Sequence, residues 1–159
     1  MKIALGADHR GYQAKEKVKA LLTSMGYEVM DFGTNSTASF DYPDAAVPTC
    51  QAVVDGEAST GILLCGTGIG MSISANKVRG IRAAVCHDEV TTELSRRHND
   101  ANVLCLPADL IGEELTRRIV DVWLKARFEG GRHERRLRKI SEIEGQQKDQ
   151  ATSPDSSGK

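Results

Sequence analysis

Aromatic residues make up only 4% of the 159-residue chain, with one Trp, three Tyr and three Phe. That is too few for the stacking platforms of single-stranded nucleic-acid binders. Cysteine is scarce as well. Cys50, Cys65, Cys86 and Cys105 stand far apart, without the C-x-x-C pairs that build zinc and thiol–disulfide sites. No apolar run approaches the roughly 18 residues of a membrane span, and Asp8 and His9 stop the opening run too early for a secretory core. Net charge is missing too: 21 Lys+Arg against 22 Asp+Glu leave -1, which removes any bulk attraction to nucleic acid or an anionic membrane. These absences point to a cytoplasmic protein with reduced thiols. A hydrophobic fraction of 40%, a charged fraction of 27% and the length fit one globular domain.

Short apolar runs alternate with helix-period segments. Strands are predicted at residues 2–7, 27–32, 60–65, 82–86 and 101–106. Helices are predicted up to a Gly26 cap, over 44–54 with Asp44 as cap, over 71–77, from an Asp88 cap to about Arg97, over 113–128, and from Arg132 to about Glu144. This alternation predicts a single-domain α/β fold, a three-layer, Rossmann-like, doubly wound sheet of about five parallel strands. The domain is expected over residues 1–145. Residues 146–159, polar and Ser-rich, are expected to be a disordered tail.

Open parallel sheets bind ligands beyond the carboxyl ends of their strands, and the strand–helix junctions here carry unusual residues. Strand one ends at Asp8-His9, strand three at Cys65-Gly66-Thr67-Gly68-Ile69-Gly70 and strand four at Cys86-His87, while the helix before strand five ends in His98-Asn99-Asp100. The glycine loop is the most informative segment, because such a turn lets backbone N–H groups meet an anion or a developing oxyanion. A dinucleotide fingerprint fits poorly: its third glycine would come one place later, and it would follow strand one. A thiol phosphatase needs a cation closing the loop, where Met71, Ser72 and Ile73 stand. What remains open is a cysteine acting at a sugar or carbonyl carbon, or a buried cysteine in a tight turn. Asp8-His9 reads either as a cap with a loop histidine or as a pair meeting a hydroxyl and an anion. His87 and His133 read as structural or surface residues. Residues 132–139 hold five cations against one acid, and Arg132 and Arg136, four apart, share a helix face suited to one phosphate.

Together, Gly6-Ala7-Asp8-His9-Arg10-Gly11, Cys65-Gly66-Thr67-Gly68-Ile69-Gly70, His98-Asn99-Asp100-Ala101-Asn102-Val103 and Gly130-Gly131-Arg132-His133 resemble the ribose-5-phosphate isomerase B family, which includes galactose- and allose-6-phosphate isomerases. The likeness runs over about residues 1–144. It implies an aldose–ketose isomerase acting through a cis-enediolate, without cofactor or metal, in a homodimer or higher homo-oligomer whose subunits share the active site. By resemblance Cys65 is the base, supported by Thr67, and the N–H groups from Gly66 through Gly68 and Ile69 to Gly70 hold the enediolate oxygen. A free thiol, with a pKa of about 8.5, needs such donors to ionise at neutral pH. His98 is implied to open the furanose ring and Asp8 to meet sugar hydroxyls. His9, Arg132 and Arg136 are implied to bind phosphate, and Asn99 to contact the substrate from the neighbouring subunit.

One position departs from the pattern: where many relatives carry an arginine after strand five, this chain has Asp109, an acid that should repel a dianion unless it points away. The His98-Asn99 pair favours a five-carbon furanose, with D-ribose 5-phosphate and D-ribulose 5-phosphate as the expected pair. A six-carbon sugar phosphate such as allose 6-phosphate, a non-catalytic sugar-phosphate module, and an interaction protein docking through its basic helix are the other readings. Neither nucleic acid nor membrane is expected as a partner. The near-neutral charge is segregated: residues 132–139 carry a net +4, leaving -5 for the rest of the chain.

Overall fold

Strands and helices alternate as the periodicity predicts: β1 (Lys2–Ala7), α1 (Tyr12–Ser24), β2 (Glu28–Asp31), α2 (Tyr42–Val54), β3 (Thr60–Cys65), α3 (Ile69–Ala75), β4 (Ala83–Val85), α4 (Glu89–Asn99), β5 (Val103–Pro107), α5 (Glu113–Lys125) and α6 (Arg132–Ala151). The structure, a computed structural model, describes residues 1–151, with side chains to residue 146. The sheet and the helices covering it lie within one unit, Met1–Phe128, and α6 lies in a second that begins at Glu129. The expected tail at 146–159 therefore starts inside α6, and residues from 152 onward lie outside the described residues.

All four strand pairings are parallel, in the order β2-β1-β3-β5-β4. Side-chain alternation then sorts the core into two layers. Leu5, Ile62, Leu64, Leu104 and Leu106 pack with Val18, Leu22, Ile119 and Trp123, so α1 and α5 cover one face. Leu63, Cys65, Val103 and Cys105 pack with Ala45, Cys50, Met71 and Ala75, so α2 and α3 cover the other. The chain winds outward from β1 to β2 and then returns past β1 to β3. The β1/β3 boundary is thus the switch point, where the turns leave a crevice beyond the strand ends.

Several boundaries differ from the periodic reading, α3 by starting at Ile69 and α5 by ending at Lys125 among them, and two differ for clear local reasons. Helix α2 begins at Tyr42, with Asp41 at the cap position and Asp44 inside the first turn, because Pro43 suits a position whose N–H would be unpaired anyway. Strand β5 begins at Val103 rather than Ala101. Asp100 ends α4 in the left-handed conformation at φ 43°, and Asn102 instead receives the Arg82 N–H and donates to the Gly80 carbonyl.

Lys15 is 1% exposed within α1, and its Nζ lies 2.6 Å from Asp31 Oδ2 and 2.8 Å from Glu16 Oε1. Burial pushes the Asp31 carboxyl up, but hydrogen bonds from Lys15, Lys19 and the Gly33 N–H outweigh it and hold the group below its ordinary value. A carboxylate depressed on folding contributes stability above its unfolded value, and that contribution fades as pH falls through the folded value. Urea titrations should therefore show stability falling below about pH 4. Asp31→Asn should lose about 1–3 kcal/mol at neutral pH by leaving the buried ammonium with Glu16 as its remaining carboxylate, and should flatten that acid limb. An unchanged limb would remove Asp31 from the account.

Candidate active site

Two turns meet at the β1/β3 switch point. After β1, Asp8 is buried, and its Oδ1 accepts the N–H groups of Arg10 and Gly11, both at 2.9 Å. One carboxylate oxygen thus shapes the turn into α1, while Oδ2 makes no hydrogen bond among the described residues. The cap and functional readings of Asp8 are compatible, one for each oxygen. His9 is fixed through Nδ1, which lies 3.2 Å from the Phe40 nitrogen and 3.1 Å from its carbonyl oxygen. When Nδ1 accepts the Phe40 N–H, the ring proton sits on Nε2, a donor suited to an anion.

After β3, the chain turns sharply over Cys65. Gly68 has φ +75°, and a Cβ there would also crowd Val85 and the Leu106–Pro107 backbone, so only glycine fits comfortably. That geometry aims the Gly68 N–H at Cys65 Sγ, 3.1 Å away. Thr67 is exposed, and its Oγ1 accepts the Ile69 N–H at 3.3 Å. The donor on the sulfur is therefore a backbone N–H, not the threonine expected to support it. Gly70 lies against the Tyr42 ring, which places the start of α3 beside the start of α2.

The other thiols are less suited to chemistry. Burial pushes the Cys50 thiol up to about 12, raises Cys86 and raises Cys105 well above its ordinary value. Alkylation near pH 7.5 should therefore modify Cys65 first, and a sugar phosphate should slow it. Uniform labelling of all four by mass spectrometry would leave Cys65 an ordinary core thiol.

His98 and Asn99 lie at the opposite edge of the sheet. Helix α4 runs from the carboxyl end of β4 back to the start of β5, so its last residues sit beside the strand beginnings, where Arg82 Nε donates to the Asn99 and Asp100 carbonyls. Cys65 pairs with Pro107 and Gly61 with Val103, so Cys65 stands about 13 Å along the sheet from the start of β5. The structure thus brings Asp8, His9 and Cys65–Gly70 together in one chain and separates His98 and Asn99 from them. In the second unit, Arg132 and Arg136 are both exposed near the start of α6, one turn apart.

Arg10 carries no functional signal of its own in the sequence. Its Nε lies 2.6 Å from Asp109 Oδ2, and hydrogen bonding to Asp109 raises the guanidinium above its ordinary value. The signal was the unexplained acid: Asp109 at a strand end needs a counter-ion, and Arg10 lies in the turn after β1, at the same edge.

The family model for Ribose/Galactose Isomerase matches residues 3–140. The chain is 50% identical over 143 residues to ribose-5-phosphate isomerase B of Escherichia coli, covering 90% of this chain and 96% of that one. It is 44% identical to D-erythrulose-4-phosphate isomerase of Pectobacterium atrosepticum over 94% of this chain and 99% of the relative. Among solved structures, ribose-5-phosphate isomerase B of Clostridium thermocellum matches with a TM-score of 0.92 at 52% identity, over 92% of this chain and 99% of that one.

Proposed function

The chain belongs to the ribose/galactose isomerase family, and from that premise we propose that it interconverts D-ribose 5-phosphate and D-ribulose 5-phosphate with Cys65 as the base. The observation that carries this reading is the meeting of Asp8, His9 and the Cys65–Gly70 loop at the switch point. His98 protonates the furanose oxygen as the anomeric hydroxyl loses its proton to solvent, the C1–O4 bond breaks and the aldehyde forms. The Cys65 thiolate then removes the C2 proton of the aldehyde form, and the electron pair shifts to give a cis-enediolate. The proton returns from Cys65 to C1 while the C2 hydroxyl proton passes to the C1 oxygen, so the C2 oxygen becomes the carbonyl of the ketose. Asp8 Oδ2 accepts from a sugar hydroxyl, and N–H groups of Gly66 to Gly70 stabilise the enediolate oxygen. Thr67, exposed at the loop's lip, adds a hydroxyl. His9, Arg132 and Arg136 take the phosphate.

The separation of His98 and Asn99 from Cys65, about 13 Å along the sheet, supports a homodimer with shared active sites in which they serve the neighbouring copy. Among the described residues, no helix is long and apolar enough to cross a membrane, and the proposed place of action is the cytosol. Chelator-treated protein should convert ribose 5-phosphate and exchange its C2 proton with solvent, faster than it acts on allose 6-phosphate or D-erythrulose 4-phosphate. No turnover of any of the three would sink the reading, and a faster six- or four-carbon substrate would replace the pentose.

A further inference from the structure

We propose that Arg10 is a substrate-binding residue that holds the phosphate group, oriented by Asp109 as its counter-ion; this rests on the sugar-phosphate reading and adds a ligand to that site. Arg10 follows β1 and Asp109 follows β5, the two strands flanking β3. Their side chains meet over the residue that follows Cys65: a Cβ on Gly66 would lie 2.5 Å from Asp109 Oδ2 and 2.9 Å from Arg10 Nε. Both partners are tied to the site through their backbones. The Arg10 N–H donates to Asp8 Oδ1 at 2.9 Å, and the Asp109 N–H donates to the Gly66 carbonyl at 3.0 Å.

The pair is open to solvent, with side chains 61% and 36% exposed, and an exposed ion pair contributes little to stability. Its consequence is orientation. Asp109 engages only Nε, and among the described residues the two Nη groups of Arg10 make no hydrogen bond, so the outer edge of the guanidinium is available. A planar fork pinned in this way suits two oxygens of a phosphate. Asp109 lowers the net charge of the pair to zero, so the site holds a dianion less tightly than a lone arginine would. The pairing also explains how an acid is tolerated beside an anionic ligand: its charge is met by Arg10 at 2.6 Å.

The test uses the full-length protein and inorganic phosphate, with affinity read by titration calorimetry and by competitive inhibition. Arg10→Ala should weaken phosphate about tenfold or more and raise KM for ribose 5-phosphate in parallel. Arg10→Lys, which keeps the charge and loses the fork, should fall between. Asp109→Asn can still accept from Nε while removing a negative charge, and it should tighten phosphate severalfold. The opposite signs are diagnostic, since a pair that only shaped the loop would make both substitutions act in the same direction. Unchanged phosphate affinity in Arg10→Ala, or equal weakening in both variants, overturns the proposal. Calorimetry needs no turnover, so wild-type protein that binds phosphate through Arg10 yet exchanges no C2 proton would refute the isomerase reading and leave Arg10 in place.

Discussion

Cys65→Ala is expected to reduce turnover of ribose 5-phosphate by about a thousandfold or more while the fold persists, because removing a positioned base costs roughly 10²–10⁴ and no other thiol can replace it. Cys50, Cys86 and Cys105 are buried, with their thiols pushed upward. Cys50 and Cys105 pack within the α2/α3 layer, Cys86 within the opposite one. The structural loss should be small, about 1 kcal/mol, since only a sulfur at the edge of that layer is deleted. Loss of C2 proton exchange with an unchanged melting curve is the expected pair of results. Retained exchange would move the base to another group at the β1/β3 crevice, such as Asp8. A large drop in melting temperature would instead make Cys65 a packing residue.

Much of this site was legible in the sequence, for reasons that differ by residue. The Cys65–Gly70 loop announces itself because glycines directly after an apolar run have few structural explanations, and Gly68 at φ +75° supplies the one that matters. Asp8 and His9 are marked by following a strand buried from Ile3 to Ala7 with polar groups. The order of β4 and β5 was not legible: alternating periodicity predicts strands and helices but not which neighbour each strand joins, and here β5 lies inside β4. Nor was the edge to which each junction belongs. His98-Asn99 borders a strand in sequence just as Asp8-His9 does, yet one lies where a strand begins and the other where a strand ends. The Arg10–Asp109 pair joins residues 99 positions apart, beyond any local pattern. Helix α6 outran its expected end at Glu144 because apolar spacing fades there while helix-forming Gln, Lys and Ala continue.

The separation of His98 from Cys65 leads to the second large effect, recovery of activity from two inactive proteins. His98→Ala should lower turnover of the cyclic sugar about a hundredfold or more by removing the acid proposed to open the ring, and Cys65→Ala should lose about a thousandfold or more for the reason above. If each site joins Cys65 of one chain to His98 of another, a mixed dimer of the two variants contains one site with both residues and one with neither. Random exchange of equal amounts makes half of the dimers mixed, so activity should rise to about a quarter of the wild-type value. A site contained within one chain cannot recover in this way, because every copy would lack one group or the other. Activity measured after co-expression, against each variant alone, separates the two cases, and absence of recovery with mixed dimers present would reject the shared site. The sheet makes the first outcome the expected one: about 13 Å of strand lies between the Cys65 turn and the start of β5, and α4 delivers His98 to the far end of that span.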